Sequence, residues 1–295
     1  MEPVEPSPAG CVCVDGVFFA PDAARAPALD HGVLYGDGLF ETLRTYGGVP
    51  FRLDGHLARL EHGMRALEFP AVERARVRAL TLETIDRAAL ADAHVRITVT
   101  RGVSDLGLDP AGCAAPTVII SALPLRPFPD RLYAEGVEAI RLWPRHPDDR
   151  PPPWVKSTSY QRTVLARVEL RRRGAHEGFF LDVDGSVTEG TVSNVFALSR
   201  GVLRTPPATV CLPGITRAEV MELAREVGGL EVREEVLSAR LLDDADEVWA
   251  TSSLSEVLPV VRIDGRSVGS GVPGEMAARL RAAYRRRATS GGERG

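Results

Sequence analysis

Lys156 stands apart by its chemistry. The chain has 36 lysines and arginines, and Lys156 is the sole lysine among them. A guanidinium neither gives up its proton at useful pH nor forms a Schiff base, whereas an amine does both. Lys156 lies in Trp154-Val155-Lys156-Ser157-Thr158-Ser159-Tyr160, between a proline-rich stretch and a helical pattern. Flanking Trp, Val and small hydroxyl residues favour partial desolvation, which lowers an amine's pKa and suits it to carbonyl chemistry. An exposed surface lysine is the other reading of the same residues.

Glu189 sits among small residues in Gly185-Ser186-Val187-Thr188-Glu189-Gly190-Thr191. A carboxylate so placed can approach a flat ligand, and beside a pyridine nitrogen it keeps that ring protonated as an electron sink. An ordinary turn glutamate fits equally well. Leu212-Pro213-Gly214-Ile215-Thr216-Arg217-Ala218-Glu219 reads as a loop feeding a helix. Thr216 and Glu219 have capping-box spacing, and the amides of Gly214 to Thr216 would converge at a helix start, where phosphate binds readily. Thr251-Ser252-Ser253-Leu254-Ser255 is a second hydroxyl-rich turn suited to a phosphate or carboxylate. Arg59, read as lying opposite the apolar stripe of its helix, supplies a charge-assisted donor for such an anion.

The elements that must position these groups alternate between strand and helix. Asp15-Gly16 and Gly47-Gly48 predict hairpins over 12–18 and 39–51. Leu53, Leu57, Leu60, Met64 and Leu67 form a helical stripe, and 72–90 reads as a second helix. Strands are expected at 95–100 and 117–123. Pro124, Pro127 and Pro129 mark an interdomain linker. Beyond it, strands are expected at 137–142, 178–183, 195–199, 248–252 and 258–263, with helices at 161–173, 217–227 and 273–287. The runs Arg171–Arg173 and Arg285–Arg287 end helices, where cations suit the dipole. The domain expectation is a disordered 1–10, a small α/β domain over 11–123, a linker over 124–135, a large domain over 136–287 and a disordered tail over 288–295.

Composition excludes several classes. With 295 residues and a formal charge of −4, the chain has ample core and lacks the basic excess of a nucleic-acid-binding protein. No apolar run approaches the roughly 18 residues needed to span a bilayer. The Pro- and Glu-bearing start does not read as a signal peptide. Cys11, Cys13, Cys113 and Cys211 lack CxxC spacing, so neither a disulfide scaffold nor a metal is expected. The expectation is a reduced, cytoplasmic protein without nucleic-acid or membrane partners.

Taken together and in order, the segments resemble those of the class IV, or fold type IV, pyridoxal-phosphate aminotransferases. That family includes branched-chain and D-amino-acid aminotransferases, R-selective amine transaminases and aminodeoxychorismate lyase. The resemblance runs from about Val14 to Leu280. It is carried by Asp30-His31-Gly32-Val33-Leu34-Tyr35-Gly36-Asp37-Gly38-Leu39-Phe40-Glu41-Thr42, His56-Leu57-Ala58-Arg59-Leu60, Thr100-Arg101-Gly102, the lysine segment, Glu189-Gly190, 212–217 and 251–260. It implies a mixed α/β, two-domain fold: a smaller N-terminal α/β domain and a larger C-terminal, β-barrel-like domain with helices that binds pyridoxal 5'-phosphate. Lys156 would hold the cofactor as a Schiff base and then shuttle the substrate's α-proton. Glu189 would pair with the pyridine nitrogen. Arg59, Ile215, Thr216, Ser252 and Ser253 would bind the phosphate. Tyr35, Phe40, Arg101, Tyr160 and Leu254 would line the substrate side. A pocket between domains that borrows from a neighbouring subunit implies at least a homodimer.

The resemblance implies an enzyme that passes an amino group from an amino acid, of branched-chain or D-amino-acid type, to a 2-oxo acid. Branched-chain enzymes often carry Gly-Gly-Asn-Tyr after the lysine. Here Thr158-Ser159-Tyr160 puts the tyrosine one residue nearer, as in the lyase and D-amino-acid branches. The alternatives are a lyase that releases pyruvate from aminodeoxychorismate, or a binding protein that has lost catalysis.

Overall fold

Alternation of buried and open positions builds the first of two sheets. In the computed structural model, residues 9–144, 152 and 154–290 are described. Antiparallel strands β1 (Cys11–Val14), β2 (Val17–Phe19), β3 (Gly38–Tyr46), β4 (Val49–Pro50), β5 (Ala93–Thr100) and β6 (Thr117–Pro124) are ordered β2-β1-β6-β5-β3-β4. Asp15 and Gly16 both have positive φ, at 52° and 95°, as the two-residue hairpin between β1 and β2 requires. Along β5 every second residue, Ala93, Val95, Ile97 and Val99, is fully buried. That face packs on α2 (Leu53–Ala66) and α3 (Arg74–Ala88), whose Leu57, Leu60, Met64, Val77 and Ile85 complete one core. A short helix, α1 (His31–Tyr35), precedes β3. Its N-cap is Asp30, buried and accepting from the Gly32 amide and the hydroxyls of Thr100 and Thr117. Gly102 closes this corner at φ 105°, with its Cβ position 1.9 Å from the Ala115 carbonyl oxygen, so no other residue fits.

This unit holds the chain through Arg126 together with Val155–Ser159; the second holds Pro127–Trp154 and Tyr160–Ser290. The division falls within the expected linker, which carries the short helix α4 (Asp130–Ala134). Lys156, expected in the large domain, belongs to the first unit.

The second sheet is nine-stranded and mixed. Its strands are β7 (Val137–Pro144), β8 (Glu177–Leu181), β9 (Val187–Gly190), β10 (Asn194–Ser199), β11 (Val202–Thr205), β12 (Glu231–Glu234), β13 (Glu247–Ser252), β14 (Glu256–Ile263) and β15 (Arg266–Ser267). The order is β12-β11-β10-β13-β14-β7-β8-β9, with β15 on β14. Helix α5 (Gln161–Arg173) links the parallel pair β7 and β8 and packs Ala166 and Leu170 on Ile140, Leu142 and Phe180. Helices α6 (Ile215–Glu226), α7 (Ala239–Asp243) and α8 (Glu275–Ser290) complete the unit. The eight helices and curled sheets match the expected α/β class. Helix α8 continues through Ser290, so the expected tail begins later than 288. Residues 1–8, most of the proline-rich stretch and 291–295 lie outside the described residues.

Candidate active site

In the first unit, Lys156 is fixed by its backbone. The Phe40 amide donates to the Lys156 carbonyl (2.9 Å), and the Thr158 amide donates to the Gly38 carbonyl (2.8 Å). The hydroxyls of Thr158 and Ser159 donate to the Gly36 carbonyl at 2.7 and 3.1 Å. The lysine segment thereby extends the start of β3, with Leu39 and Ser157 bridged. Val155 anchors it in the core, and Lys156 is half-buried with Nζ 4.7 Å from the Phe40 ring centroid. The Arg96 guanidinium lies 3.8 Å from the same centroid.

One residue on, Glu41 is fully buried. Its place in a sequence motif gave no sign of this role. Arg59 donates to it through Nε (2.8 Å to Oε1) and Nη2 (2.6 Å to Oε2), and His56 Nδ1 lies 2.7 Å from Oε2. Burial alone would raise the Glu41 pKa, but the Arg59 charge and the bonds from Arg59 and His56 bring it down to about 2. Burial pushes the His56 pKa below its ordinary value. Arg59 does not lie opposite the apolar stripe. At roughly 100° per residue it stands next to Leu60, at the stripe's edge, and its side chain is nine-tenths buried.

Arg101 is also buried. It donates to the Asp37 carboxylate and to the Glu68 and Leu67 carbonyls, with its guanidinium 4.2 Å from the Phe69 centroid. Tyr35 is partly exposed; its hydroxyl accepts from the Gly107 amide (3.0 Å), and its ring meets His31 edge-on.

In the second unit, β9 presents Glu189 opposite Phe180. The Leu212 amide donates to Glu189 Oε2 (3.0 Å), and the Leu212 carbonyl accepts from Asn194 Nδ2 (2.8 Å). The loop leading into α6 is thus tied to both Glu189 and β10. Gly214 caps α6 in extended conformation, and a Cβ there would lie 2.0 Å from Asn194 Oδ1. This close approach admits only glycine and sets the amides of Ile215 and Thr216 at a helix start, where no intrahelical acceptor exists. Thr216 is buried with Oγ1 3.3 Å from the Tyr284 hydroxyl. Below the turn after Glu189, the buried carboxylate of Glu177 accepts from the Thr191 amide and hydroxyl, the Ser193 hydroxyl and the Gly178 amide.

The hydroxyl-rich turn lies between β13 and β14. Ser252 Oγ accepts from the Ser255 amide (3.1 Å), and Ser253 and Leu254 are half-buried at its tip. Glu256 follows at φ 58° and is fully buried, bonded by Arg281 and Arg285 of α8. Thr251 Oγ1 is buried without a hydrogen-bond partner. Tyr160 is half-buried at the start of α5. All four cysteines are free and buried. Among the described residues no cluster of His, Cys, Asp or Glu could hold a metal, and no helix is long and apolar enough to cross a membrane.

An amine, a cation, a helix start, clustered hydroxyls and a carboxylate are the donor set that an aldehyde, a phosphomonoester and a pyridine nitrogen require. Residues 38–263 match the family described as amino-transferase class IV. The chain belongs to that family. This class IV aminotransferase is 40% identical over 278 residues to a putative branched-chain-amino-acid aminotransferase of Methanocaldococcus jannaschii, covering 93% of this chain and 95% of that protein. Among solved structures, the Escherichia coli branched-chain amino acid aminotransferase superposes with a TM-score of 0.88 at 32% identity, covering 94% and 93% of the two chains. A thermophilic-strain branched-chain amino acid aminotransferase (T.th.) with pyridoxamine 5'-phosphate superposes with a TM-score of 0.89 at 30% identity, covering 95% and 94%. The 4-amino-4-deoxychorismate lyase of Pseudomonas aeruginosa superposes with a TM-score of 0.80 at 35% identity, covering 93% and 98%. The class IV aminotransferase is an enzyme.

Proposed function

We propose that this enzyme is a pyridoxal-phosphate-dependent aminotransferase that moves the amino group of a branched-chain amino acid to a 2-oxo acid. The observation that carries the reading is the sole lysine, whose backbone is built into the start of β3 within a class IV chain. The M. jannaschii relative supports the substrate class, and the solved relative bearing pyridoxamine phosphate supports the cofactor. The free cysteines support a reducing, cytoplasmic setting, and the family resemblance supports at least a homodimer.

The bound cofactor would supply a protonated pyridine ring able to accept the electron pair left when the substrate's Cα–H bond breaks. Lys156 Nζ binds the cofactor's aldehyde carbon, is displaced by the substrate amine, and then takes the α-proton from Cα. A base held in place reacts as a very concentrated reagent. The Glu189 carboxylate, oriented by the Leu212 amide, holds the proton at the ring nitrogen. Arg59, the amides of Ile215 and Thr216, and the hydroxyls of Ser252 and Ser253 bind the phosphate. Tyr35, Phe40, Arg101, Tyr160 and Leu254 shape the substrate side, with Arg101 held rigid by Asp37.

The likeness to the Pseudomonas lyase favours a second reading, release of pyruvate from aminodeoxychorismate without a keto-acid acceptor. One experiment separates the two. The protein is reduced with borohydride after adding pyridoxal phosphate, the label is mapped, and spectra are followed with L-leucine, L-glutamate, D-alanine or aminodeoxychorismate. The label is expected on Lys156, with L-leucine converting the cofactor to its amine form. Conversion by D-alanine alone would move the donor class, and pyruvate release from aminodeoxychorismate alone would establish the lyase. No label on Lys156 would overturn both.

A further inference from the structure

Glu41 is a charge where the fold has no packing need for one. It shares a strand face with Leu39 and Leu43, both in the core that α2 covers, so a third leucine would continue that face. A buried ion pair contributes little stability relative to well-packed apolar residues, so stability does not account for it. The pair does fix geometry. Both Glu41 oxygens bond to α2: Oε1 with Arg59 Nε, Oε2 with Arg59 Nη2 and His56 Nδ1. Because Glu41 is ionised it has no proton to donate, so the hydrogen in the third bond belongs to His56 Nδ1, and the ring is neutral. His56 and Arg59, one helical turn apart, grip a single carboxylate. The guanidinium plane is held by two parallel bonds, and the carboxylate that holds it is braced by the histidine. Lys156 lies close enough to depress protonation of His56, so the cluster adjoins the reactive amine.

Guanidinium recognition of phosphate depends on planar, forked geometry rather than on charge alone. We propose that Glu41 and His56 are positioning residues that orient Arg59 to receive the cofactor's phosphomonoester. The proposal rests on the reading of Arg59 as a phosphate ligand given above.

Its test uses the full-length protein freed of cofactor and titrated separately with pyridoxal phosphate and with pyridoxal, which lacks the phosphate. Glu41→Gln and His56→Leu are expected to weaken pyridoxal-phosphate binding about ten- to a hundredfold, the scale of a lost charge-assisted bond. Pyridoxal binding should change less than about threefold. His56→Asn keeps an N–H in place of Nδ1–H and should stay within about threefold of the parent for both ligands. Equal weakening for both ligands would make the cluster a structural brace and overturn the proposal. So would unchanged or tighter pyridoxal-phosphate binding in both variants. Thermal unfolding identifies a variant that fails to fold; if Glu41→Gln does so, the contrast between His56→Leu and His56→Asn decides. Should the parent protein bind pyridoxal phosphate no better than pyridoxal, the phosphate role of Arg59 itself fails, a result distinct from loss in the variants alone.

Discussion

A carboxylate that keeps a ring nitrogen protonated and an amine that carries a proton fail differently when removed. Glu189 touches the loop at Leu212 through one oxygen, so Glu189→Gln keeps an acceptor for that amide while losing the charge. Turnover should fall about a hundred- to a thousandfold, the scale of one lost electrostatic contact at the reacting centre. Cofactor retention should fall by less than about tenfold, because the phosphate contacts lie elsewhere. Turnover and cofactor-to-protein ratio, measured on the same samples, check this; parallel losses would remove Glu189 from its assigned role. Lys156 was legible in the sequence because lysine is so scarce in this chain. The roles of Glu41 and His56 were not. A glutamate on a strand shows its buried partners only when the strand face and the helix face are known together. The chain segment around His56 and Arg59 was visible as a motif, but its geometry was not.

Short polar segments are held by buried carboxylates, and this is where the elements depend on single residues. Glu177 gathers the Gly178 and Thr191 amides and the Thr191 and Ser193 hydroxyls beneath the turn that follows Glu189. Glu177→Ala leaves these buried donors without their acceptor, at a cost of about 3 kcal/mol or more. Glu177→Gln keeps one acceptor oxygen and should cost clearly less. Urea unfolding of both variants checks the order; a Glu177→Ala loss below about 1 kcal/mol would show that the turn holds itself. Long periodic elements were readable beforehand: the helix at 161–173 has the bounds its pattern predicts, and the Asp15-Gly16 and Gly47-Gly48 hairpins form. The short strands β9, β11, β12 and β15 were not, since two to four residues carry too little alternation to read. Of the two arginine runs, Arg285 and Arg287 do more than end a helix: they bond Glu256 and the acidic face of α6.

At the scale of the whole molecule, buried titrating groups give acid a defined route to unfolding. His56, His94 and His176 are buried with pKa values depressed below 6.5, chiefly by desolvation. As pH falls through 6.5 the unfolded chain takes up these protons and the folded chain does not, so stability declines. Glu41 acts lower. Its folded pKa of about 2 lies below the ordinary 4.5, so its contribution is complete above 4.5 and is lost as pH falls toward 2. That difference corresponds to about 3 kcal/mol. Urea unfolding between pH 7 and pH 3 should therefore show two declines for the parent protein, one below pH 6.5 and one below pH 4.5. Glu41→Gln has nothing to titrate there. It should be less stable than the parent at pH 7, with the gap narrowing progressively below pH 4.5. His56→Asn should flatten only the upper decline. A gap between Glu41→Gln and the parent that stays constant with pH would mean that Glu41 is not ionised in the folded chain, and the bidentate grip on Arg59 would lose its electrostatic basis.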